Sequence, residues 1–313
     1  MISKRVQPGH KVFTQQSEVT KVKKLTVFTP SYNRAYCLHQ CYNSLREQTC
    51  KDFIWLIIDD GSTDGTKELV MDWIAENELD IQYVRQENQG MHGAHNTAYD
   101  RIETELNVCI DSDDSMPPNA VEEILTFWEA NRSEDVSGII GLDVRTDGNI
   151  IGTKLPDHLE KSTLFDLHYK HGMTGDKKLV YRTALTKMYP YPLFKGEKYV
   201  GLAYKYYKLD EDYPMLLLNK PLCIVEYLPD GSSNNMLRQY RKNPKGFAFY
   251  RKELMKLPFA KKTFKFRQAI HYVSSSLMIK NRQFIEETPN KLLTVFAIPL
   301  GVVLYVYVLA KQN

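Results

Sequence analysis

The sequence predicts an α/β protein: a mixed, mostly parallel sheet flanked by helices and followed by a basic, helical appendage. Between residues 24 and 144, short apolar runs alternate with stretches of helical period, which is typical of βαβ units around a parallel sheet. After residue 237 the chain is basic and mostly helical in pattern. We therefore expect an N-terminal extension (1–23), an α/β domain (24–237) and a basic tail (238–313).

Five apolar runs predict the strands of the first half, because each is short, rich in β-branched or aromatic side chains and bounded by polar residues. They are LTVFTP, FIWLIIDD, IQYVRQ, LNVCID and SGIIGLDV, at residues 25–30, 53–60, 81–86, 106–111 and 137–144. Apolar side chains at helical spacing predict the intervening helices, at residues 35–48, 66–76, 91–101 and 119–131. The second half is less regular and predicts a helix at 199–208, strands at 213–218 and 222–227, and a turn at 229–231.

The charge of the chain is unevenly distributed. The whole chain carries +3, yet residues 238–313 contain 15 Lys or Arg against 3 Asp or Glu, so the first 237 residues carry −9. With 43% hydrophobic and 25% charged residues, the composition excludes a disordered chain and a protein of many membrane spans. An acidic body with a basic tail argues against a nucleic-acid binder and favours an anionic surface as the partner of the tail.

Polar residues follow each of the first four predicted strands. The segments are TPSYNR at 29–34, DDGSTDG at 59–65, NQGMHGAHN at 88–96 and DSDD at 111–114. Because the carboxyl ends of parallel strands meet at one edge of a sheet, these four loops predict a ligand site at that edge.

In their order and spacing, TPSYNR, IIDDGSTDGT, ENQGMHGAHN and IDSDD resemble the motifs of the family 2 glycosyltransferases of the GT-A fold, over residues 24–235. The resemblance implies a Rossmann-like GT-A sheet and inverting transfer of a sugar from a nucleotide-diphosphate donor. The donor that we expect is a UDP-sugar. The implied acceptor is a hydroxyl of a cell-surface glycan or a lipid-linked precursor, and the implied cofactor is Mn²⁺ or Mg²⁺. The alternative is a catalytically inactive, transferase-like protein that binds nucleotide sugar or glycan.

The first two loops form the predicted nucleotide site. Asp59 or Asp60, at the end of a buried strand, can accept hydrogen bonds from the N–H groups of a uracil-like base, and Pro30 and Tyr32 can flank that base. Thr29 would add backbone contacts. The resemblance supports these roles, and the polar residues of the same four loops complete the predicted donor-binding set: Arg34, Asn88 and Ser112. The alternative is that one of the two aspartates caps the following turn.

Asp111-Ser112-Asp113 is an Asp-x-Asp element at the end of a strand. Carboxylates at positions i and i+2 can converge on one hard cation, with substrate phosphate completing the coordination. Asp113 is the predicted metal ligand, and Asp111 either shares the metal or contacts the ribose. The alternative, that the loop caps the following helix, fits Asp114 better than Asp113.

Two basic side chains are candidates for contact with the diphosphate. Members of the family often have a basic residue near position 95, so His95 either meets the diphosphate or is structural. Arg238, after the predicted turn, either reaches the diphosphate in a closed state or belongs to a solvated basic face.

The acceptor hydroxyl needs a carboxylate base, and two candidates stay open. In the family the base opens a helix that leads back to a strand, and by that topology the base is Glu197, with Lys198 where many relatives have Asp. The second candidate is Asp212, in the acidic run that follows the predicted helix at 199–208. The alternative for Glu197 is a structural charge in the first turn of a helix.

Residues 292–310, LLTVFAIPLGVVLYVYVLA, contain no charge and as a helix would be about 28 Å long, close to the ~30 Å of a bilayer core. With the basic stretch before them they predict membrane association, as a terminal span or as an anchor on the inner leaflet. The alternative is a buried helix or an oligomer interface. Because residues 1–24 lack the apolar core of a signal peptide, we expect the α/β domain at the cytoplasmic face of the cell membrane.

Overall fold

The computed structural model describes residues 23–227 and 236–311. The strands of this part of the chain are β1 (Leu25–Ser31), β2 (Phe53–Asp59), β3 (Ile81–Arg85), β4 (Leu106–Cys109), β5 (Gly138–Arg145), β6 (Lys161–Ser162), β7 (Lys177–Arg182) and β8 (Met215–Val225). The helices are α1 (Leu38–Arg46), α2 (Thr66–Glu76), α3 (Met91–Arg101), α4 (Ala120–Asn131), α5 (Leu164–Tyr169), α6 (Thr183–Thr186), α7 (Ala203–Leu209), α8 (Met236–Lys242), α9 (Pro244–Lys256), α10 (Lys262–Met278), α11 (Phe284–Glu287) and α12 (Lys291–Ala310).

The strands form one sheet in the order β3-β2-β1-β4-β7-β5-β8-β6. β1 pairs in parallel with β2 and β4, and β2 pairs in parallel with β3. β7 lies antiparallel between β4 and β5, and β8 is parallel to β5. Consequently β1 to β5 and β8 all end at the same edge of the sheet, called here the carboxyl edge, and β7 begins there.

Helices cover both faces of the sheet because the central strands are apolar on both sides. In β2, Trp55 and Ile57 face the hydrophobic cluster that includes α1, α2 and α4, whereas Leu56 and Ile58 face α3. Burial on both faces explains why the run FIWLII is continuously apolar rather than alternating, and it is typical of parallel sheets. The predicted α/β sheet flanked by helices is confirmed.

The predicted elements of the first half agree closely with the structure. β1 to β5 lie where the apolar runs place them, and α2 and α3 have the predicted bounds. α1 is shorter than predicted and begins at Leu38, because the residues before it form a turn in which the Cys37 N–H donates to the Arg34 carbonyl at 3.0 Å.

The second half differs more from the prediction. The sequence pattern does not predict β7, which enters the middle of the sheet antiparallel to its neighbours, nor β6, α5 and α6. The two strands predicted at 213–218 and 222–227 are one strand, β8, whose register with β5 shifts where Leu142 pairs with Pro221. A proline has no N–H to donate and is tolerated at such an irregularity. The turn predicted at 229–231 lies outside the described residues.

The basic tail packs against the α/β domain. Leu254 of α9 and Leu257 share one hydrophobic cluster with Phe165 and Tyr207 of the domain. The boundary predicted at residue 238 therefore separates residues that pack together. A second cluster joins α10 and α12 to Ala248 and Met255 of α9. In it α10 and α12 approach closely at Gly301, where a Cβ would lie 2.5 Å from a Val273 methyl group.

Candidate active site

The loops that follow β1 and β2 are bound to each other at the carboxyl edge. Asn33 has a left-handed backbone, with φ 54°, a conformation that asparagine tolerates better than most residues. Its N–H donates to Ser62 Oγ at 2.9 Å, and its Oδ1 accepts from the Thr63 N–H at 2.8 Å. Asp64 accepts from the Ala35 N–H at 3.1 Å. The two loops predicted to bind the nucleotide thus form one continuous surface.

Asp59 is completely buried and caps the turn that follows it. Its Oδ1 accepts from the Ser62 N–H at 2.7 Å, and its Oδ2 accepts from the Tyr83 hydroxyl and lies 3.5 Å from Arg85 Nε. Asp59 therefore has the role foreseen in the alternative interpretation, a cap that joins β2 to β3. Its contact with a nucleotide base stays a prediction.

Asp60 joins the second loop to the third and is only 4% exposed. Its Oδ1 accepts from Gln86 Nε2 at 2.7 Å and from the Gln89 N–H at 2.8 Å, and its Oδ2 accepts from the Gly90 N–H at 2.8 Å. Burial raises the pKa of Asp60 above its ordinary value, although these three donors counteract it. To contact a nucleotide base as predicted, Asp60 would have to use a carboxylate lone pair that these three hydrogen bonds do not occupy.

The other predicted nucleotide contacts differ in exposure. Tyr32 is 49% exposed and Pro30 partly exposed, so both can flank a ligand at the carboxyl edge. The Thr29 side chain faces the core, where its Oγ1 accepts from Trp55 Nε1 at 3.0 Å, which leaves only its backbone for the predicted contact. The Arg34 guanidinium lies over the ring of Tyr36, 5.8 Å from the centroid.

A pocket of about 490 Å³ opens at the carboxyl edge beside β2 and β3. Its volume is in the usual range of small-molecule sites. Its lining residues are Gly61, Arg85, Gln86, Glu87 and Asn88. The carbonyl of Asn88 accepts from Lys198 Nζ, and Gly90 lies so close to Lys198 that a Cβ at Gly90 would lie 2.1 Å from the Lys198 carbonyl oxygen. The loop at 196–202 therefore closes one side of the predicted donor site.

The fourth loop carries the Asp-x-Asp element. Ser112 is buried, whereas Asp111 and Asp113 are partly exposed at the carboxyl edge. In the residues described by the structure, no third His, Cys, Asp or Glu joins them in a group that could hold a metal ion. Two carboxylates without a third protein ligand fit a Mg²⁺ or Mn²⁺ ion whose remaining ligands are water and substrate phosphate.

The Asp-x-Asp loop is attached to β8. Ser115 and Ile224 exchange two backbone hydrogen bonds, of 3.0 and 2.8 Å, and Asp114 accepts from the Glu226 N–H at 3.2 Å. Burial raises the pKa of Asp114 to about 7. Asp114 therefore bonds to the end of β8 and not to the start of α4, which corrects the helix-cap alternative considered for it.

Lys178 is a candidate functional residue that the sequence patterns do not identify. It lies near the start of β7, and its buried ammonium is 4.0 Å from Asp143 Oδ1 and donates to the Cys109 carbonyl at 3.4 Å. Burial lowers the pKa of Lys178, but the carboxylates of Asp143, Asp114 and Asp111 together raise it well above its ordinary value. It provides a fixed positive charge beside the Asp-x-Asp loop. A single lysine in an unpredicted strand carries no sequence signal for this placement.

His95 lies among aromatic rings. Its ring packs edge-on against Phe28, with centroids 5.2 Å apart, and near Tyr99 and Tyr191. Burial lowers the pKa of His95 to about 4, so the ring is neutral at pH 7. With Nδ1 2.9 Å from the Met91 carbonyl, Nδ1 carries the proton and Nε2 has none to donate to a phosphate. The structure favours the structural role for His95.

The two candidate bases lie in different places. Asp212 precedes β8, which begins at the edge opposite the carboxyl edge, so the structure corrects this candidate: the length of the strand separates it from the four loops. Glu197 lies near the carboxyl edge, because the neighbouring Lys198 bonds to Asn88 in the third loop. However, α7 begins only at Ala203, with Leu202 at its N-cap. The topological reason for choosing Glu197 therefore fails, because no acidic residue opens the helix that leads back to β8.

The Glu197 carboxylate instead caps α9. Its Oε1 accepts from the Lys245 N–H at 3.0 Å and its Oε2 from the Gly246 N–H at 2.8 Å. This is the helix-terminal charge foreseen as its alternative, although on α9 and not on the predicted helix at 199–208. Arg238 is exposed on α8, next to residues 228–235, which lie outside the described part of the chain. Its contact with the diphosphate stays a prediction.

A mostly parallel sheet with a pocket at the carboxyl ends of its strands defines an α/β protein of the ligand-binding class. The particular family is shown by its model: the description "Glycosyl transferase family 2" matches residues 26–188, more than half of the chain. The chain therefore belongs to glycosyltransferase family 2. A relative from Nostoc sp., an uncharacterized glycosyltransferase, is 32% identical over 127 residues, which are 40% of this chain but only 38% of that relative.

Solved structures support the same fold. Staphylococcus aureus TarS (residues 1–349) in complex with UDP-GlcNAc is similar with a TM-score of 0.59 and 18% identity, over 89% of this chain and 80% of that one. A mannosyltransferase from Pyrobaculum calidifontis in complex with GDP-Man and Mn²⁺ is similar with a TM-score of 0.54 and 16% identity, over 94% and 77% of the two chains. The GT-A fold is confirmed, including helices after the sheet.

Proposed function

We propose that this protein is an inverting glycosyltransferase that moves a sugar from a nucleotide-diphosphate donor, a UDP-sugar, to a hydroxyl of a cell-surface glycan or a lipid-linked acceptor. The observation that carries the proposal is the convergence of four loops at the carboxyl edge, where Asp111 and Asp113 are partly exposed and where a pocket opens beside β2 and β3. Membership of family 2 and the similarity to a structure that holds UDP-GlcNAc support the same donor class.

In this proposal Pro30 and Tyr32 flank the base and the backbone of the second loop positions it. Asp111 and Asp113 would hold Mn²⁺ or Mg²⁺, which neutralises charge on the departing diphosphate when it is bound. The buried ammonium of Lys178 balances the carboxylates of Asp143 and Asp114. The loop can therefore keep its acidic side chains close together before a cation arrives.

A second candidate function, binding of nucleotide sugar without turnover, is favoured by one observation. The helix that leads back to β8 begins after Leu202 and not after a carboxylate, and the nearest acidic candidate, Glu197, is bonded to the start of α9. A chain without a positioned base would bind donor but transfer slowly. The role of Glu197 as the base stays a prediction.

Ligand-dependent thermal unfolding tests the proposal. UDP-, GDP-, dTDP- and CDP-sugars are compared with and without Mn²⁺, and nucleotide release from the donor is measured in parallel. We expect one nucleotide class, UDP, to raise the unfolding midpoint only when Mn²⁺ is present, because a ligand that binds the native state stabilises it. Asp113→Asn should remove this shift and reduce nucleotide release by about 10²-fold or more, with an unchanged midpoint without ligand.

The control is Asp72→Asn, the same chemical change on the exposed surface of α2. It should leave both the shift and the release unchanged. Full activity of Asp113→Asn would contradict the metal assignment. A metal-dependent shift without any nucleotide release from wild-type protein would instead support the binding-only candidate.

A further inference from the structure

Helix α12 has one buried face, and that face is made of small and medium-sized residues. Thr294, Ala297, Gly301 and Val308 are its buried positions, spaced three, four and seven residues apart, as one side of a helix requires. Gly301 allows the close approach to α10, where Val273 and the Ile270 carbonyl are its neighbours. α12 is therefore attached to the tail along one side.

The opposite face of α12 is apolar and exposed along its whole length. Its exposed large residues include Leu292 (69%), Phe296 (67%) and Val303 (65%), followed by Val306 and Leu309 near the end of the helix. With Leu300 (50%) between Phe296 and Val303, they recur every three or four residues and form a continuous stripe, called here the outer stripe. A stripe of this length in water is unusual for a soluble protein and indicates a further contact.

By length and composition α12 is the one helix of the described residues that could cross a membrane. Its packing argues against that orientation. The middle of α12, at Gly301, touches the middle of α10, at Ile270 and Val273. If Gly301 lay at the centre of a bilayer, Arg267 and Lys265 of α10, within two turns of this contact, would lie in hydrocarbon, where charged side chains are costly.

The charge around the outer stripe favours one kind of partner. Residues 238–313 carry 15 Lys or Arg and 3 Asp or Glu, a surplus of 12 positive charges. Lys291 and Lys311 are exposed at the two ends of α12, and so at the two ends of the outer stripe. An apolar stripe bordered by lysines is the pattern of helices that lie in the interface of an anionic membrane.

We propose that α12 lies in the plane of an anionic lipid surface, with the outer stripe in the boundary between headgroups and acyl chains and with Lys291 and Lys311 on the headgroups. α10 and α9 stay on the water side. This surface is independent of the chemistry of the donor site. It selects the interfacial anchor from the two membrane arrangements that the sequence leaves open.

A chain of contacts connects this surface to the predicted donor site. Arg241 of α8 donates to the Val308 carbonyl near the end of α12, at 3.3 Å. Two residues later, Asn243 accepts from the Lys198 N–H at 2.6 Å, and Lys198 Nζ donates to the Asn88 carbonyl beside the pocket. Docking of α12 would therefore hold the pocket at the membrane surface, where a lipid-linked acceptor lies.

Co-sedimentation with vesicles tests the surface. Full-length protein is mixed with phosphatidylcholine vesicles, or with vesicles that contain about one-third phosphatidylglycerol, at about 0.1 M salt. We expect binding to the anionic vesicles, weakened by high salt, and release by alkaline carbonate. The double variant Phe296→Asp/Val303→Asp should reduce the partition coefficient at least about 10-fold, because it places two charges in the outer stripe.

Two further variants make the result specific. Met71→Asp places the same charge on an exposed apolar side chain of α2 and should bind like wild type. Lys291→Glu/Lys311→Glu should weaken binding to anionic vesicles and leave the fold unchanged by circular dichroism. Absence of wild-type binding, or an unaffected Phe296→Asp/Val303→Asp variant, would overturn the proposal.

Two outcomes would replace the proposal by another arrangement. Resistance to alkaline carbonate would show a spanning helix. A wild-type dimer by light scattering that the outer-stripe variant converts to a monomer, without vesicle binding, would show that a second copy covers the stripe. None of these measurements uses donor turnover, so a failure here is distinct from a failure of the proposed transfer reaction.

Discussion

Asp60 is the residue on which the geometry of the second and third loops depends. Three donors from the third loop meet its two buried oxygens. Asp60→Asn keeps the size of the side chain but replaces one acceptor oxygen by a donor facing other donors. We expect a loss of about 1–3 kcal/mol in the free energy of unfolding and a weaker donor-dependent thermal shift, measured by urea unfolding and by the thermal assay. An unchanged free energy of unfolding would contradict the role of these bonds.

Lys205 predicts a pH dependence of stability. It is 1% exposed, its Nζ lies 4.1 Å from the centre of the Tyr99 ring, and burial lowers its pKa from 10.5 to about 7. Between these values the unfolded chain binds the proton more tightly than the folded chain. The contribution of Lys205 to stability is therefore lowest below its folded pKa and rises with pH, by up to about 1.4 kcal/mol per pH unit.

Replacing Lys205 by methionine keeps the apolar stem and removes the amine. We expect urea unfolding to show that wild type gains stability relative to Lys205→Met when the pH is raised from about 7 to about 9, over the window between the folded and unfolded pKa. The same stability difference at both pH values would contradict a lysine that is neutral in the folded protein at the higher pH.

At this scale the sequence identifies residues that follow a periodic pattern. Asp59, Asp60 and Asp111 could be predicted to lie at one edge, because each ends an apolar run and parallel strands end together. Buried lysines could not: Lys205 and Lys178 are placed by long-range packing, and nothing in their local sequence distinguishes them from surface lysines. The aromatic environment of His95 depends on Phe28 and Tyr191, far from it in the chain.

At the scale of elements, Glu197 couples an irregular loop to the start of α9. α9 begins with Pro244 at N1, and its next two N–H groups donate to the Glu197 carboxylate. A negative charge at a helix N-terminus that accepts two N–H groups is typically worth about 1–2 kcal/mol. We expect Glu197→Ala to lower the free energy of unfolding by this amount, measured by urea unfolding.

Glu103→Ala is the matched control, since Glu103 is exposed beyond the end of α3. It should change the free energy of unfolding by no more than a few tenths of a kcal/mol. Nucleotide release distinguishes the two roles of Glu197. A fall of about 10³-fold with unchanged stability would make it the base and contradict its role as a cap.

Helices and strands with a regular hydrophobic pattern could be predicted from the sequence. Strands whose place depends on pairing with residues far away in the chain could not. α2 and α3 show a regular inner face, and β2 is a continuous apolar run. β7 begins with two lysines, and its place between β4 and β5 depends on pairing across long stretches of chain. β8 is divided in the sequence by a polar segment ending in Pro221, yet the pairing with β5 continues across it after a register shift.

On the scale of the whole molecule, α9 packs into a hydrophobic cluster of the α/β domain, whereas α12 packs chiefly on α10 and meets Tyr199 and Phe247 only near its end, at Val308. Leu254 and Leu257 complete the cluster around Phe165, and Gly246 lies against the Tyr199 carbonyl with no room for a Cβ. α12 buries only four residues, and they are small or of medium size. The two ends of the tail therefore contribute unequally to the stability of the domain.

Truncation tests this division. A chain that ends at Leu237 loses α9 and exposes the cluster around Phe165, so we expect it to be insoluble or to lack a cooperative thermal transition, because large apolar side chains lose their partners. A chain that ends at Pro289 keeps α8 to α11. We expect it to unfold cooperatively, to keep the UDP- and Mn²⁺-dependent shift, and to lose binding to anionic vesicles.

A cooperative transition in the shorter chain would show that the tail is an independent appendage, as the sequence alone suggests. Loss of the donor-dependent shift in the longer one would show that α12 supports the donor site through Arg241.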